Sequence, residues 1–317
     1  MRRTLTLALV FALATAAHAA TDTIRKGFNV ADGGTLHLDA GVGSIKIVTG
    51  GSGVAFEVTR KARGMHDEEV LQQHRITFSQ QGNDVIVDSD FDHSWDRWFN
   101  EYDVQWNVRV PAHYNLDVKT SGGSIDLADV GGTTEAHTSG GSIKTGNLAG
   151  PATLKTSGGS ITIDGGRANI LASTSGGSIT IGDTDGSIDA RTSGGSITIA
   201  RANGDVVAHT SGGGIRIEDA AGAVNATTSG GSIQARLSRQ PRGDSKLSTS
   251  GGGVSVSLAS GIGVELDAHA SGGGVQSDVP VTVVGTQDDD SLRGSIGGGG
   301  PKLVLRSSGG GIRVKPL

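Results

Sequence analysis

Hydrophobic positions in the second half of the chain recur in pairs separated by one residue. Take the threonine of each TSGG stretch as position zero. Apolar residues fall five and seven positions later: Ile125 and Leu127, Ile161 and Ile163, Ile179 and Ile181, Ile197 and Ile199, Ile215 and Ile217. They also fall four and two positions earlier: Ile170 and Ala172, Ile188 and Ala190, Val206 and Ala208, Val224 and Ala226. A spacing of two marks one face of a β-strand. Each period therefore predicts two short strands. A Gly-Gly turn joins them on one side. A second glycine phase, at Gly132, Gly150, Gly186, Gly204 and Gly222, joins them on the other.

The motif starts at Thr120, Thr138, Thr156, Thr174, Thr192, Thr210 and Thr228, eighteen residues apart. It continues at Thr249 and Ala270, each after twenty-one residues, and SSGGGI begins at Ser307. A fainter copy, AGVGSI, begins at Ala40. A fixed period over such a length is the signature of a solenoid. The predicted fold is all-β, a β-solenoid with coils of about 18 residues stacked about 4.8 Å apart. From Thr120 onward that makes a rod of roughly 50 Å. Corner glycines are expected to supply φ > 0 and to let neighbouring backbones approach. The aligned threonines are expected at one edge. Calcium-binding rolls need an aspartate after each glycine pair, and here serine or glycine and then an aliphatic residue follow. A hexapeptide helix needs an aliphatic residue every six positions, and Gly131 and His137 fail it. An ice-binding threonine column, Thr162, Thr180 and Thr198, is interrupted by Asp126, Lys144, Arg216 and Gln234.

The chain before the repeat reads differently. Thr35–Leu38, Ser44–Val48, Val54–Val58, Ile76–Phe78 and Val85–Val87 alternate as strands, and His66–His74 reads as a short helix. Phe91, Trp95, Trp98, Phe99, Tyr102 and Trp106 recur every three or four residues, which predicts one helical face. Such a helix would cap the open end of the solenoid, or else offer an aromatic platform to sugar or another apolar partner. The expected division is residues 1–19 as a signal peptide, 20–118 as a β-rich capping region and 119–317 as the solenoid.

Composition and charge add the cellular context. Of 317 residues 53 are glycine, and the net charge is -5, which offers no basic stripe for nucleic acid. The opening MRRTLTLALVFALATAAHAA has a positive start, an apolar run too short to span a bilayer, and Ala17-His18-Ala19 as a cleavage site. Cleavage after Ala19 predicts export, to the periplasm or beyond in a Gram-negative-type bacterium. There is no cysteine, so packing and the backbone ladder must hold the fold.

The strand ending Val110-Pro111-Ala112, the TSGG repeats and the closing segment Gly294–Val314 resemble the adhesin-like β-strand-repeat family of bacterial exported proteins. That resemblance covers most of the chain. It implies a β-solenoid in the bacterial envelope or outside the cell, and it carries over no catalytic residues.

A search of the outward positions gives little chemistry. Asp126 is expected over Lys144 and Glu218 over Arg236, ordinary cross-strand pairs, and no column places two carboxylates on adjacent coils. His137 and His209 share a column four coils apart, roughly 19 Å, too far for one metal. Asp88, Asp90 and Asp92 open like a calcium loop, but His93 and Phe99 stand where glycine and glutamate are required. The expectation is no catalytic residue, no metal and no cofactor. The candidate partner surface is Trp95, Trp98 and Tyr102 in the aromatic segment, with Arg236, Arg239 and Arg242 around the irregular coil Leu237–Lys246. Arg242-Gly243-Asp244 also spells a cell-attachment tripeptide, a match that three letters reach by chance. The function expected is that of an adhesin-like or structural interaction protein whose partner is a cell-surface glycan or an envelope protein. The alternatives are a solenoid-type carbohydrate-active enzyme and a periplasmic accessory to envelope sensing.

Overall fold

The computed structural model describes residues 19–63, 67–91, 101–283 and 288–317. Two long sheets enclose one core, with 14 strands in one and 15 in the other. Through the repeat each coil gives one strand to each sheet, parallel to its neighbours and in register. Ile143 lies opposite Ile125 on one side and Ile161 on the other. Ala136 likewise lies between Val118 and Leu154. The predicted apolar columns are the core, each member almost fully buried.

The motif threonines close one edge of the interior, each as the last residue of its strand. Thr138, Thr156, Thr174, Thr192 and Thr210 are all buried. Thr174 Oγ1 donates to the carbonyl of Gly159 in the preceding coil at 2.7 Å and accepts from the N–H of Gly177 in its own coil at 3.4 Å. The same pair of bonds recurs at Thr138, Thr156, Thr192 and Thr210. A buried hydroxyl needs a partner, and the carbonyl left by the tight turn needs one too. Beside this ladder runs a second. The N–H of Ser178 donates to Ser160 Oγ at 3.1 Å, and that of Ser160 donates to Ser142 Oγ at 3.1 Å.

The repeat glycines are required for proximity and not for unusual backbone angles. None in the copies from Thr120 onward has a positive φ; only the fainter copy does, at Gly41 and Gly43. A Cβ on the second glycine of the pair, as at Gly141, Gly159 or Gly177, would overlap the carbonyl oxygen of the glycine one coil earlier, well inside 3.0 Å. The first glycine is less constrained: at Gly140 the nearest atom to a Cβ would be 3.4 Å away.

Neither end follows the chain order. At the N-terminal end, β1 (Ala19–Phe28), β2 (Thr35–Asp39), β3 (Ser44–Thr49) and β4 (Val54–Arg63) lead to helix α1 (Asp67–Gln73). Then come β5 (His74–Gln81), β6 (Asp84–Phe91), β7 (Glu101–Val110), β8 (Asn115–Thr120) and β9 (Ile125–Leu127). The later strands β6 and β7 form the outer coil. The earlier coil β2–β3 is held between it and β8–β9, in parallel register on both sides. The sheets therefore run unbroken through residue 119. Antiparallel strands β5, β4 and β1 finish the edges. The far end repeats the device. The closing strands Lys302–Ser307 and Ile312–Pro316 insert between the coil of Ser245–Leu258 and that of Val264–Ser277.

The aromatic segment departs from its predicted helix. Phe91 ends β6, and Tyr102 and Trp106 lie on β7. There the period of two in Tyr102, Val104, Trp106, Val108 and Val110 prevails, because alternate residues of β7 face the core. Trp106 is wholly buried beneath the first corner, and its Nε1–H donates to Val42 O at 3.1 Å. Trp95 and Trp98 lie outside the described residues. Among the described residues, the end of the core is covered by Phe28, Phe56 and Phe78, with ring centroids 6.1 Å and 5.3 Å apart in the two edge-on pairs.

Candidate functional site

One extended concave feature is a groove parallel to the rod axis, on the edge opposite the Gly-Gly corners. It follows from the sequence at the second glycine phase. Ten positions after each motif threonine one residue turns into the core: Val130, Leu148, Thr184 and Ala202 are buried there. Its neighbours on each side point outward and form two walls. One wall runs Asp129, Asn147, Asp183, Arg201; the other runs Ala149, Arg167, Asp185, Asn203. Midway, Gly165 and Gly166 occupy the positions that carry Asn147 and Leu148 one coil before, and the missing side chains deepen the groove. Its volume is about 640 Å³, and from Asp129 to Arg201 it spans four coil steps, about 19 Å.

The walls are polar and cross-linked along the axis. Asp129 Oδ1 accepts from the backbone N–H of Asn147 at 2.7 Å. Asn203 Nδ2 donates to Asp185 Oδ1 at 2.8 Å. Arg201 lies 3.0 Å from Asp183 and 3.8 Å from Asp219, on the coils before and after it. Arg201 is 54% exposed and Asp183 61% exposed, so their pairing is weak and leaves polar atoms open to a ligand. Carboxylates, amides and guanidinium alternate, and the charges nearly cancel.

The predicted site residues fall in three places. Arg239 reaches the end of the groove, where its Nη1 stands 3.5 Å from Asn203 Oδ1. Arg242 is exposed on the same loop. Its neighbour Asp244 is engaged, accepting from the N–H of Lys302 at 2.8 Å, so the tripeptide is tied to the inserted closing coil. Arg236 lies on the outer face of the 14-stranded sheet. Glu218 takes its hydrogen bond from Arg216 on its own strand at 2.5 Å, not from Arg236, because a bulge displaces the register after Ile217. Glu218 is shifted below the usual carboxylate range, first by that hydrogen bond; the Arg236 charge contributes least.

Tyr102 belongs to a different feature. Strands β4 and β7 continue past the first corner and, with β1, β5 and β6, hold a buried polar cluster. His74 Nε2 lies 2.6 Å from Ser89 Oγ, and His74 Nδ1 lies 2.6 Å from Tyr102 Oη. Arg60 Nη1 donates to the carbonyls of Leu71 and His74, both at 2.9 Å, and Arg60 Nη2 pairs with Asp22. Burial, then the Arg60 charge, pushes the His74 imidazole down to about 4, against an opposing pull from Asp90. Burial also raises the Tyr102 hydroxyl well above the usual tyrosine range. Ser89 is only 6% exposed, so this cluster is a structural fastening of the outer coil rather than an open site.

Sequence reading missed the groove because its residues vary from coil to coil. The signal was positional: polar residues recur at nine or eleven places after most of the threonines, as Asp129, Asn147, Arg167, Asp183, Asp185, Arg201 and Asn203, on either side of one that turns inward.

Among the solved structures that align along most of the chain are the following three. A protein from Parabacteroides merdae provisionally named an adhesin is 13% identical, with 94% of this chain and 96% of that chain covered and a TM-score of 0.42. One from Parabacteroides distasonis provisionally named a lipid-binding protein is 14% identical, with 92% and 96% covered and a TM-score of 0.37. One from Clostridium sporogenes provisionally named a cell adhesion protein is 14% identical, with 94% and 100% covered and a TM-score of 0.26. No family model matches the sequence, and no curated protein matches it.

Proposed function

We propose that this is an exported, non-enzymatic interaction protein of the bacterial envelope that holds an uncharged glycan strand along its axial groove. The observation that carries this reading is the pair of polar walls repeating at the coil spacing on either side of an inward-facing floor. Asp, Asn and Arg offer donors and acceptors in fixed geometry, which suits sugar hydroxyls. Each contact is weak, and a strand lying across several coils sums them. Export rests on the N-terminal sequence: cleavage after Ala19 would remove only the first residue of β1.

The enzyme alternative also has an observation behind it. Asp183 and Asp185 stand on opposite walls of one coil, and glycoside hydrolysis uses two flanking carboxyl groups. Asp183 is exposed and paired with Arg201, however, whereas a general acid needs a carboxyl shielded from water. Holding is therefore preferred to cutting. A screen of uncharged wall and capsule oligosaccharides, followed by product analysis of every ligand found, separates the readings. Binding without new reducing ends is the expected result. Cleavage, or no binding above a protein of similar charge, refutes the proposal.

A further inference from the structure

Away from the groove, the outer face of the 14-stranded sheet carries a second recess, near the C-terminal end. Its floor is the strand Val254–Leu258, whose outward side chains are only Ser255 and Ser257. On one side stands Arg236, directly opposite Ser257 in register. On the other stands Lys315, opposite the same serine on the inserted closing strand. Two sheet spacings, about 10 Å, separate the strands that carry Arg236 and Lys315, and a trough of about 400 Å³ lies over the strand between them.

The charges around the trough are unequally satisfied. Arg216 is paired with Glu218, and Arg313 grips Asp278 through two bonds of 3.0 and 2.8 Å. Arg236 and Lys315 have no ion-pair partner within 4.0 Å among the described residues, and Ser255 and Ser257 make no side-chain hydrogen bond there. Two unpaired cations stand on either side of a floor where Ser255 is partly exposed and Ser257 is only 6% exposed; the cations supply the attraction for an oxyanion and the Ser255 hydroxyl supplies a donor. The rim is mostly polar, so a charged polymer lying on the face fits better than an inserting lipid. Beside the column of Arg236, Ser257 and Lys315, that of Ser255 continues along the axis through Gln234, Arg216 and Thr198.

We infer that the trough between Arg236 and Lys315 binds sulfate or carboxylate groups of an acidic polysaccharide. The site exists because the closing coil inserts beside Val254–Leu258; in chain order the two cations are far apart. It stands independently of the axial groove.

The test measures binding of dextran sulfate and of polygalacturonate to the full chain, with uncharged dextran and anionic phosphatidylglycerol vesicles as parallel arms. Both acidic polymers should bind at low salt and release as salt rises. The double variant Arg236→Ala/Lys315→Ala should bind at least tenfold more weakly. Ser255→Glu, which places a carboxylate at the partly exposed floor position, should do the same. Arg191→Ala, on the opposite sheet, should bind like the parent. The positions in the trough are outward-facing, so unchanged circular dichroism will show that the fold survives. The inference is overturned if both trough variants bind like the parent, if dextran binds as well as dextran sulfate, or if the vesicles bind and the polymers do not.

Discussion

At the scale of single residues, the TSGG motif is a device for stacking corners. Its two glycines are unequal. Gly141→Ala drives a methyl group into the Gly123 carbonyl and should cost about 3 kcal/mol of unfolding free energy. Gly140→Ala meets nothing closer than 3.4 Å and should change stability by less than about 1 kcal/mol. Urea titration of the two variants checks the difference, and equal losses would contradict it. The threonine is the second part of the device. Thr174→Val keeps the volume but leaves the Gly159 carbonyl without its donor, an expected loss of about 1–2 kcal/mol. Thr174→Ser should lose less, since Ser307 makes the equivalent bond to Gly252 O at 2.7 Å in the closing coil. A serine variant as unstable as the valine one would assign the effect to packing. Sequence placed these residues at a corner. It could not tell that close approach, rather than backbone angle, selects glycine, because both demands give the same letter.

Among the elements, the regular coils were legible and the ends were not. Period-two spacing locates the repeat strands because each coil meets the same environment. The outer coil β6–β7 is read through a longer connection whose aromatics mimic a helical spacing. Only the finer alternation from Tyr102 to Val110 reveals the strand. The insertion of residues 302–316 between two earlier coils is invisible in order along the chain, since any coil bearing the motif fits beside any other. The extension of β4 and β7 makes a prediction about pH. His74 has its folded value near 4, below the value of about 6.5 expected when unfolded. The unfolded chain then binds more protons between those values, so the contribution is complete above about pH 6.5 and is lost as pH falls toward 4. The loss amounts to about 3 kcal/mol. His74→Gln should flatten this part of the stability profile relative to the parent, as followed by denaturant midpoints from about pH 7 to about pH 4. Parallel profiles would show that His74 does not titrate as described.

The whole molecule is a rod whose two ends are sealed and whose length is lined with repeating polar columns. Sealing by insertion leaves the long faces as the accessible surface. The groove and the trough lie on separate parts of that surface, so the two proposed sites are testable one at a time. The columns themselves were readable from the sequence. Which column forms a groove was not, because concavity depends on where the coil bends. The most direct measurement is an affinity footprint against the best uncharged oligosaccharide, using alanine at Asp129, Arg167, Asp183 and Arg201 in turn, with Lys155 and Arg191 on the opposite sheet as controls. The groove variants should each weaken binding severalfold while the controls bind like the parent. Losses confined to the opposite sheet, or no loss at any groove position, would contradict the groove as the binding surface.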